Sequence, residues 1–276
     1  MIEPWCACFP DILFPDVGSA APSATVDALS ASPPQSGDKY LVRRVVGSGA
    51  TGTALIGRRE RDGLPIIAKI VDLGEMDETQ RSRAESEIQC LSQCRHSAII
   101  QYLTHHLEGT KLLLIMELAD AGDLGFQIKH RRESKAYFLE QEVALMLSQI
   151  LIAVHYIHSQ SILHRDLKPA NVFVKTNGLV KVGDFGLSKV FEETVSRPVA
   201  QSLVGTPYYL APEVWRREKY GKKADMFSIG VLWYEMLTLD RPFKGSSVAA
   251  VMQSITEGKF NPLPSHISTE TGKLVM

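Results

Sequence analysis

ILHRDLKPANVFV, residues 162 to 174, sets a histidine, an arginine, an aspartate, a lysine and an asparagine between two short apolar runs. Ile162 and Leu163 on one side, and Val172 to Val174 on the other, have the make-up of buried strands. Pro169 stops any helix from crossing the segment. A charged loop between two buried anchors holds its polar side chains in fixed relation.

GDFG, residues 183 to 186, lies just past the strand-like VKV and adds a second acidic position. Asn171 and Asp184 together supply the hard oxygen ligands that phosphate-bound magnesium prefers. Asp166, five residues before Asn171, then remains as a carboxylate able to accept a hydroxyl proton. Lys168 is placed to neutralise charge on a transferred group.

Upstream the pattern is β-rich. YLVRRVVG, TALIGRRE and LPIIAKIVDL, separated by glycines or by the turn ERDG, read as an antiparallel sheet. Residues 77 to 94 carry Ala84, Ile88 and Leu91 on one helical stripe, with Glu87 on its flank. LLLIMELA, residues 112 to 119, is a further strand, and helical segments dominate from about residue 138. A small β-rich lobe followed by a larger helical one places a cleft between them, where ligands bind.

Gly47, Gly49 and Gly52 stand as G-x-G-x-x-G. A dinucleotide fold needs a helix after the glycines and a P-loop needs G-K-[ST]; TGTALIGRR continues as a strand and meets neither demand. A glycine-rich turn between strands can fold over phosphates, since glycine lets backbone N–H groups approach closely; an ordinary flexible hairpin is the alternative. Lys69 sits in IIAKI, with Ala68 and Ile70 on the opposite strand face. It either pairs with an anion, for which Glu87 is the candidate, or snorkels to water.

The 276 residues are 45% apolar, enough for a sizeable core, and 30 basic residues against 31 acidic ones give no whole-chain case for nucleic acid or an anionic membrane. Cys6, Cys8, Cys90 and Cys94 lack the spacing of a disulfide framework or zinc site. No window reads as a membrane span, and the amino terminus is a poor signal peptide. His155, His158 and His164 do not form a metal cluster on this reading. Residues 1–38, rich in Ser, Ala and Pro, read as a flexible extension, and a cytoplasmic address is expected.

GSGATG, IIAKI, HRDLKPAN, DFG, GTPYYLAPE and DMFSIG stand in the order and spacing of the eukaryotic-type protein kinases, which the chain resembles over residues 39–276. ELADAGDL, KPANVF and SLVGTPYYLAPE are similar to the serine/threonine branch and most of all to the NIMA-related kinases. The resemblance implies an α+β, two-lobed fold with a small lobe over 39–118, a large lobe over 119–276, and further helices beyond the last residue. It implies transfer of the γ-phosphoryl of ATP, with Mg2+, to Ser/Thr hydroxyls of protein substrates, and a cytoskeletal, centrosomal or flagellar association. The rival reading is an inactive kinase-like scaffold.

Position by position, the resemblance implies that Gly47, Ser48, Gly49 and Gly52 cover the phosphates. Lys69 pairs with Glu87 and reaches the phosphates. Met116 lies behind the adenine, Glu117 and Ala119 bond it through their backbone, Asp123 meets the ribose, and Ala68 and Phe173 complete the pocket. Asp166 is the base, Lys168 the charge neutraliser, and Asn171 and Asp184 the metal ligands. Arg165 implies a switch by phosphorylation, with Ser202 as the phosphosite, modified by an upstream kinase or by the protein itself. Ala54 replaces the usual valine above the adenine, and Phe227 replaces a usual tryptophan. With the last helices missing, Glu213 is expected to lack its arginine and residues 228 to 237 part of their cover.

Overall fold

The computed structural model describes residues 38–49, 52–74, 76–185, 189–190 and 207–275. β1 (Tyr40–Gly49), β2 (Gly52–Arg59), β3 (Pro65–Asp72), β4 (Tyr102–Glu108) and β5 (Lys111–Glu117) form an antiparallel sheet in the order β1-β2-β3-β5-β4. Register fixes which residues share a face, because direct cross-strand partners point the same way. Leu55, Ala68 and Ile115 are partners in line, and with Ile66 they form a buried cluster on one face. Ala54, Lys69 and Leu114, and beside them Ile56, Ile67 and Met116, line the other.

β4 was not foreseen from its sequence, YLTHHLE, because it is an edge strand with little buried surface and so lacks the apolar alternation of its neighbours. α1 (Glu78–Gln93) begins with a capping box: Gln80 N–H donates to Asp77 at 2.8 Å, and Asp77 N–H donates to the Gln80 side chain at 2.9 Å. Its Cys90 and Leu91 are buried with Cys94, so the two thiols are core residues rather than ligands.

The main core joins α1 to α3 (Glu140–Ser159) and α5 (Lys222–Thr238), with α2 (Leu124–Glu133) at its side. By length and composition α3 is apolar enough to cross a membrane, although no window was read that way in the sequence. Its Val143, Met146, Leu147, Ile150, Ala153, Val154 and Ile157 recur at helical spacing and are buried in the core. Two short two-stranded sheets follow: β6 (Ile162–Leu163) pairs with β9 (Lys189–Val190), and the hairpin of β7 (Val172–Val174) and β8 (Val180–Val182) lies between them in the chain. A 3-10 turn between β6 and β7, Pro169–Asn171, fits its proline at the first position.

Most of α5 from Ala224 to Thr238 is buried, with Met226 exposed near its start. The expectation that residues 228 to 237 lack cover is therefore corrected: most of that stretch is buried by α3 and its surroundings, with only Gly230 and Trp233 partly open. Phe227 stacks on Phe243 at 5.9 Å between centroids, so the smaller ring still finds a partner. α4 (Pro212–Trp215), α6 (Val248–Thr256) and α7 (Thr269–Val275) complete the chain. Ser268, just before α7, donates its N–H and its hydroxyl to Glu140 at the start of α3, each at 2.7 Å.

Candidate active site

The loop between β6 and β7 owes its shape to Asp225, a carboxylate 1% exposed in the first turn of α5. It accepts hydrogen bonds from His158 Nε2 at 2.8 Å, His164 N–H at 3.0 Å and Arg165 N–H at 2.8 Å. Burial works to raise this carboxyl, but the His158 bond, the nearby His164 and the two backbone donors bring it below its ordinary value. Arg165 sits at φ 69 and Asp184 at φ 57, a left-handed backbone that costs about 1–3 kcal/mol per residue unless the surroundings impose it. At Arg165 the bond to Asp225 does so.

Asp166 follows directly. Its Oδ2 accepts from Lys168 Nζ at 2.6 Å and from Asn171 Nδ2 at 2.9 Å, and its backbone carbonyl accepts from the same Asn171 amide at 2.8 Å. Among the described residues no donor meets Oδ1, the oxygen left to take a proton. Asn171 spends its NH2 group in this way, which leaves its amide oxygen as an acceptor for a hard cation. Its backbone carbonyl receives Gly183 N–H at 3.0 Å, tying the loop to the segment after β8 that carries Asp184.

Asp184 faces the sheet. Lys69 Nζ lies 3.4 Å from its Oδ1, the salt bridge that spans the cleft. Burial pushes the Asp184 carboxyl up, yet the charge of Lys69, with His164 and Lys168, brings it below its ordinary value. It stays ionised, as a metal ligand must. An ionised carboxylate just past β8 and an amide oxygen on the loop beside it fit a divalent cation. Phe185 is fully buried and its ring lies 5.1 Å from that of His164. His164 Nε2 donates to Gly183 O at 3.1 Å, and His158 is committed to Asp225, so neither histidine belongs to a metal cluster.

Above these residues the β1–β2 hairpin brings Gly47 opposite Ala54, Ser48 opposite Thr53 and Gly49 opposite Gly52. Gly52 needs to be glycine for the fold: its φ is 122, and a Cβ would lie 2.3 Å from Ile70 O. A Cβ on Gly47 would meet nothing within 4 Å. The Glu87 side chain lies outside the described residues, as does the expected phosphosite Ser202. Arg165 places its guanidinium 5.4 Å from the Tyr220 ring.

At the back of the cleft Met116 pairs with Ile67 across the sheet. Ala68 is corrected here. It is fully buried in the cluster on the other face, because neighbours along a strand point to opposite sides and Lys69 has the cleft side. Ile67, two residues before Lys69, takes the position expected of Ala68; the two-residue period alone marks it. Glu117 is pinned by Lys181 at 2.6 Å, Lys175 at 3.4 Å and Gln101 N–H at 2.8 Å, while its own N–H donates to Gln101 O at 3.0 Å. The chain then passes Ala119, half-buried, to Asp123, which caps α2 by accepting Phe126 N–H at 2.9 Å; burial raises its carboxyl. Phe173 is half-buried and lies against Gly183, where a Cβ would meet its ring at 3.0 Å. Glu213 is half-buried and has no ion-pair partner among the described residues.

A two-lobed chain with a lysine–aspartate bridge across its cleft and a carboxylate clamped by lysine and asparagine has the architecture of a phosphotransferase. The chain belongs to the protein kinase domain family, whose model matches residues 40–275. It is similar to putative serine/threonine-protein kinase A of Trypanosoma brucei brucei, 44% identical over 86% of this chain and 55% of that protein. Probable serine/threonine-protein kinase nek3 of Dictyostelium discoideum is 38% identical over 86% of this chain and 21% of that protein. Serine/threonine-protein kinase nekl-2 of Caenorhabditis elegans is 35% identical over 86% and 68%. The NIMA-related resemblance thus has relatives behind it. The chain spans about half the length of the two Trypanosoma relatives it matches.

Proposed function

We propose that this protein is an ATP-dependent protein serine/threonine kinase, and the observation that carries this reading is the clamp on Asp166. Its Oδ1 takes the proton of a substrate Ser or Thr hydroxyl as the oxygen attacks the γ-phosphorus of ATP. The new P–O bond forms, the β–γ bridge breaks, and ADP carries away the electron pair. Lys168, already on Asp166, neutralises charge developing on the transferred group, and Lys69 holds the phosphates. Asn171 and Asp184 would hold Mg2+, which would supply charge neutralisation on the phosphate oxygens. Met116, Ile67 and Ala54 line the base pocket with the Glu117–Ala119 backbone along its edge, and Phe173 forms the floor.

Activation by phosphorylation belongs to the same proposal. Arg165, at present over Tyr220, gains an anion when Ser202 is phosphorylated by an upstream kinase or by the protein itself. No observation favours an inactive scaffold. The experiment is turnover of a Ser/Thr peptide with ATP and magnesium by the full chain and by Asp166→Asn. The variant is expected to bind ATP with unchanged affinity and to lose at least about a hundredfold in kcat; wild-type turnover in the variant would remove Asp166 as the base.

A further inference from the structure

Beside the catalytic loop lies a cavity of about 220 Å³ that the phosphoryl-transfer chemistry does not use. Lys168 forms part of its wall, with Lys129 and Arg132 of α2, Tyr209, Glu235 of α5 and Arg241. Glu235 is buried and accepts the Tyr209 hydroxyl. Arg132 Nη2 stands 3.7 Å and Arg241 Nε 3.9 Å from the same Glu235 oxygen, distances of ion pairs rather than of a closed fork. Arg132 is held instead through its Nε, which donates to Leu239 O at 2.6 Å, and Arg241 lies over the Tyr208 ring at 4.1 Å. Among the described residues no hydrogen bond takes the Nη groups of Arg132, whose side chain is 53% exposed.

The charges decide what this cavity accepts. Lys168 is answered by Asp166 and Lys129 by Glu133 at 3.9 Å, whereas two arginines face the single carboxylate of Glu235. That carboxylate is buried and covered by a hydroxyl and two cations, so it has little attraction left for a basic side chain. A concave wall with an excess guanidinium focuses positive potential, and guanidinium forks match the two oxygens of a carboxylate or phosphate. Lys168 belongs to both the cavity wall and the Asp166 clamp, so a peptide with its hydroxyl at Asp166 lays a nearby side chain over the cavity. Resting on the kinase reading above, we infer that this cavity is a substrate-selecting pocket for an oxyanionic side chain close to the acceptor residue, an aspartate, glutamate or phosphoserine, engaged by Arg132 and Arg241.

The test uses the full chain and a neutral reference peptide in which each position within about three residues of the acceptor serine is replaced in turn by Asp, phosphoserine or Arg. Both kcat/KM and peptide affinity by fluorescence anisotropy are measured. At one position the anionic peptides are expected to exceed the neutral one by about tenfold, as charge-assisted hydrogen bonds permit. The Asp and phosphoserine arms tell carboxylate from phosphate. In Arg132→Gln that ratio falls towards one, and because it is a ratio it does not depend on how much of the variant folds. Lys129→Glu, on a side chain 72% exposed, reverses the field without touching the core and lowers the same ratio. A preference for Arg peptides, or a ratio unchanged in Arg132→Gln, overturns the inference. Equal turnover of neutral and anionic peptides overturns it and leaves the kinase reading standing. Tighter anionic binding without turnover of any peptide sustains the pocket and sinks the kinase reading.

Discussion

The floor and the roof of the cleft are built on opposite principles. In the floor, Asp225 holds three donors, Asn171 holds Asp166 twice, and His164, Asn171 and Asp225 are all buried. In the roof, Gly47 has open space where a side chain would go, Val45 and Val46 are about half exposed, and the Ser48 and Thr53 hydroxyls meet only at 3.4 Å. A buried polar network is costly when one partner is lost, while an exposed glycine hairpin loses little. Orientation of the proton acceptor is thus written into the folded core.

Substitution of Asp225 breaks that contrast most severely. Asp225→Ala leaves His158 and two buried N–H groups without their acceptor and is expected to cost about 3–5 kcal/mol, read by thermal or chemical denaturation, with loss of activity. Asp225→Asn keeps one acceptor oxygen and should fall between. Because the folded carboxyl lies below its ordinary value of 3.8, its contribution is fully present above that value and is lost as pH falls through the folded one. The Asn variant should therefore show a shallower loss of stability in acid than the parent. Equal acid slopes would show that Asp225 is not the titrating anchor.

The roof is sharpened by comparing two of its glycines. Gly52→Ala forces a Cβ against Ile70 O at a left-handed φ and is expected to destabilise the protein by about 1–3 kcal/mol. Gly47→Ala should leave the melting midpoint where it is and instead raise KM for ATP a few-fold, because the methyl group enters space meant for ligand. If both variants melt alike, the hairpin is not divided in this way.

Much of this was legible in the sequence, and the exceptions share causes. Strands β1, β2, β3 and β5 announce themselves by apolar runs, Asp166, Lys168 and Asn171 by a loop too charged to be idle, and Asp184 by the GDFG stretch past the strand-like VKV. β4 escaped because an edge strand need not alternate. Ala68 was placed in the pocket although Lys69 on the cleft face excludes its immediate neighbour. Asp225 is one of two acids, with Glu235, in a mostly apolar helix, and its importance follows only once it is known to be buried against the loop between β6 and β7. The cavity beside Lys168 could not be read at all, since Arg132 and Leu239 are 107 residues apart and meet only in the folded chain.

The smallest expected effect concerns the seam where floor meets base pocket. Gly183 precedes Asp184, and a Cβ there would approach Ile100 Cγ1 at 2.8 Å and the Phe173 ring at 3.0 and 3.2 Å. Ile100 is buried and cannot withdraw, whereas Phe173 is half-buried and its ring can move. Gly183→Ala should therefore displace that ring into the space above it and raise KM for ATP about two- to fivefold, the part of the overpacking strain that the half-buried ring passes on to the base pocket. The acceptor side is untouched, so KM for peptide should not change. Phe173→Leu removes the atoms that clash, and the double variant should recover most of the lost affinity, with a coupling that a double-mutant cycle reads directly. Strict additivity would mean that the strain falls on Ile100, and the ring would then not be the element that adjusts.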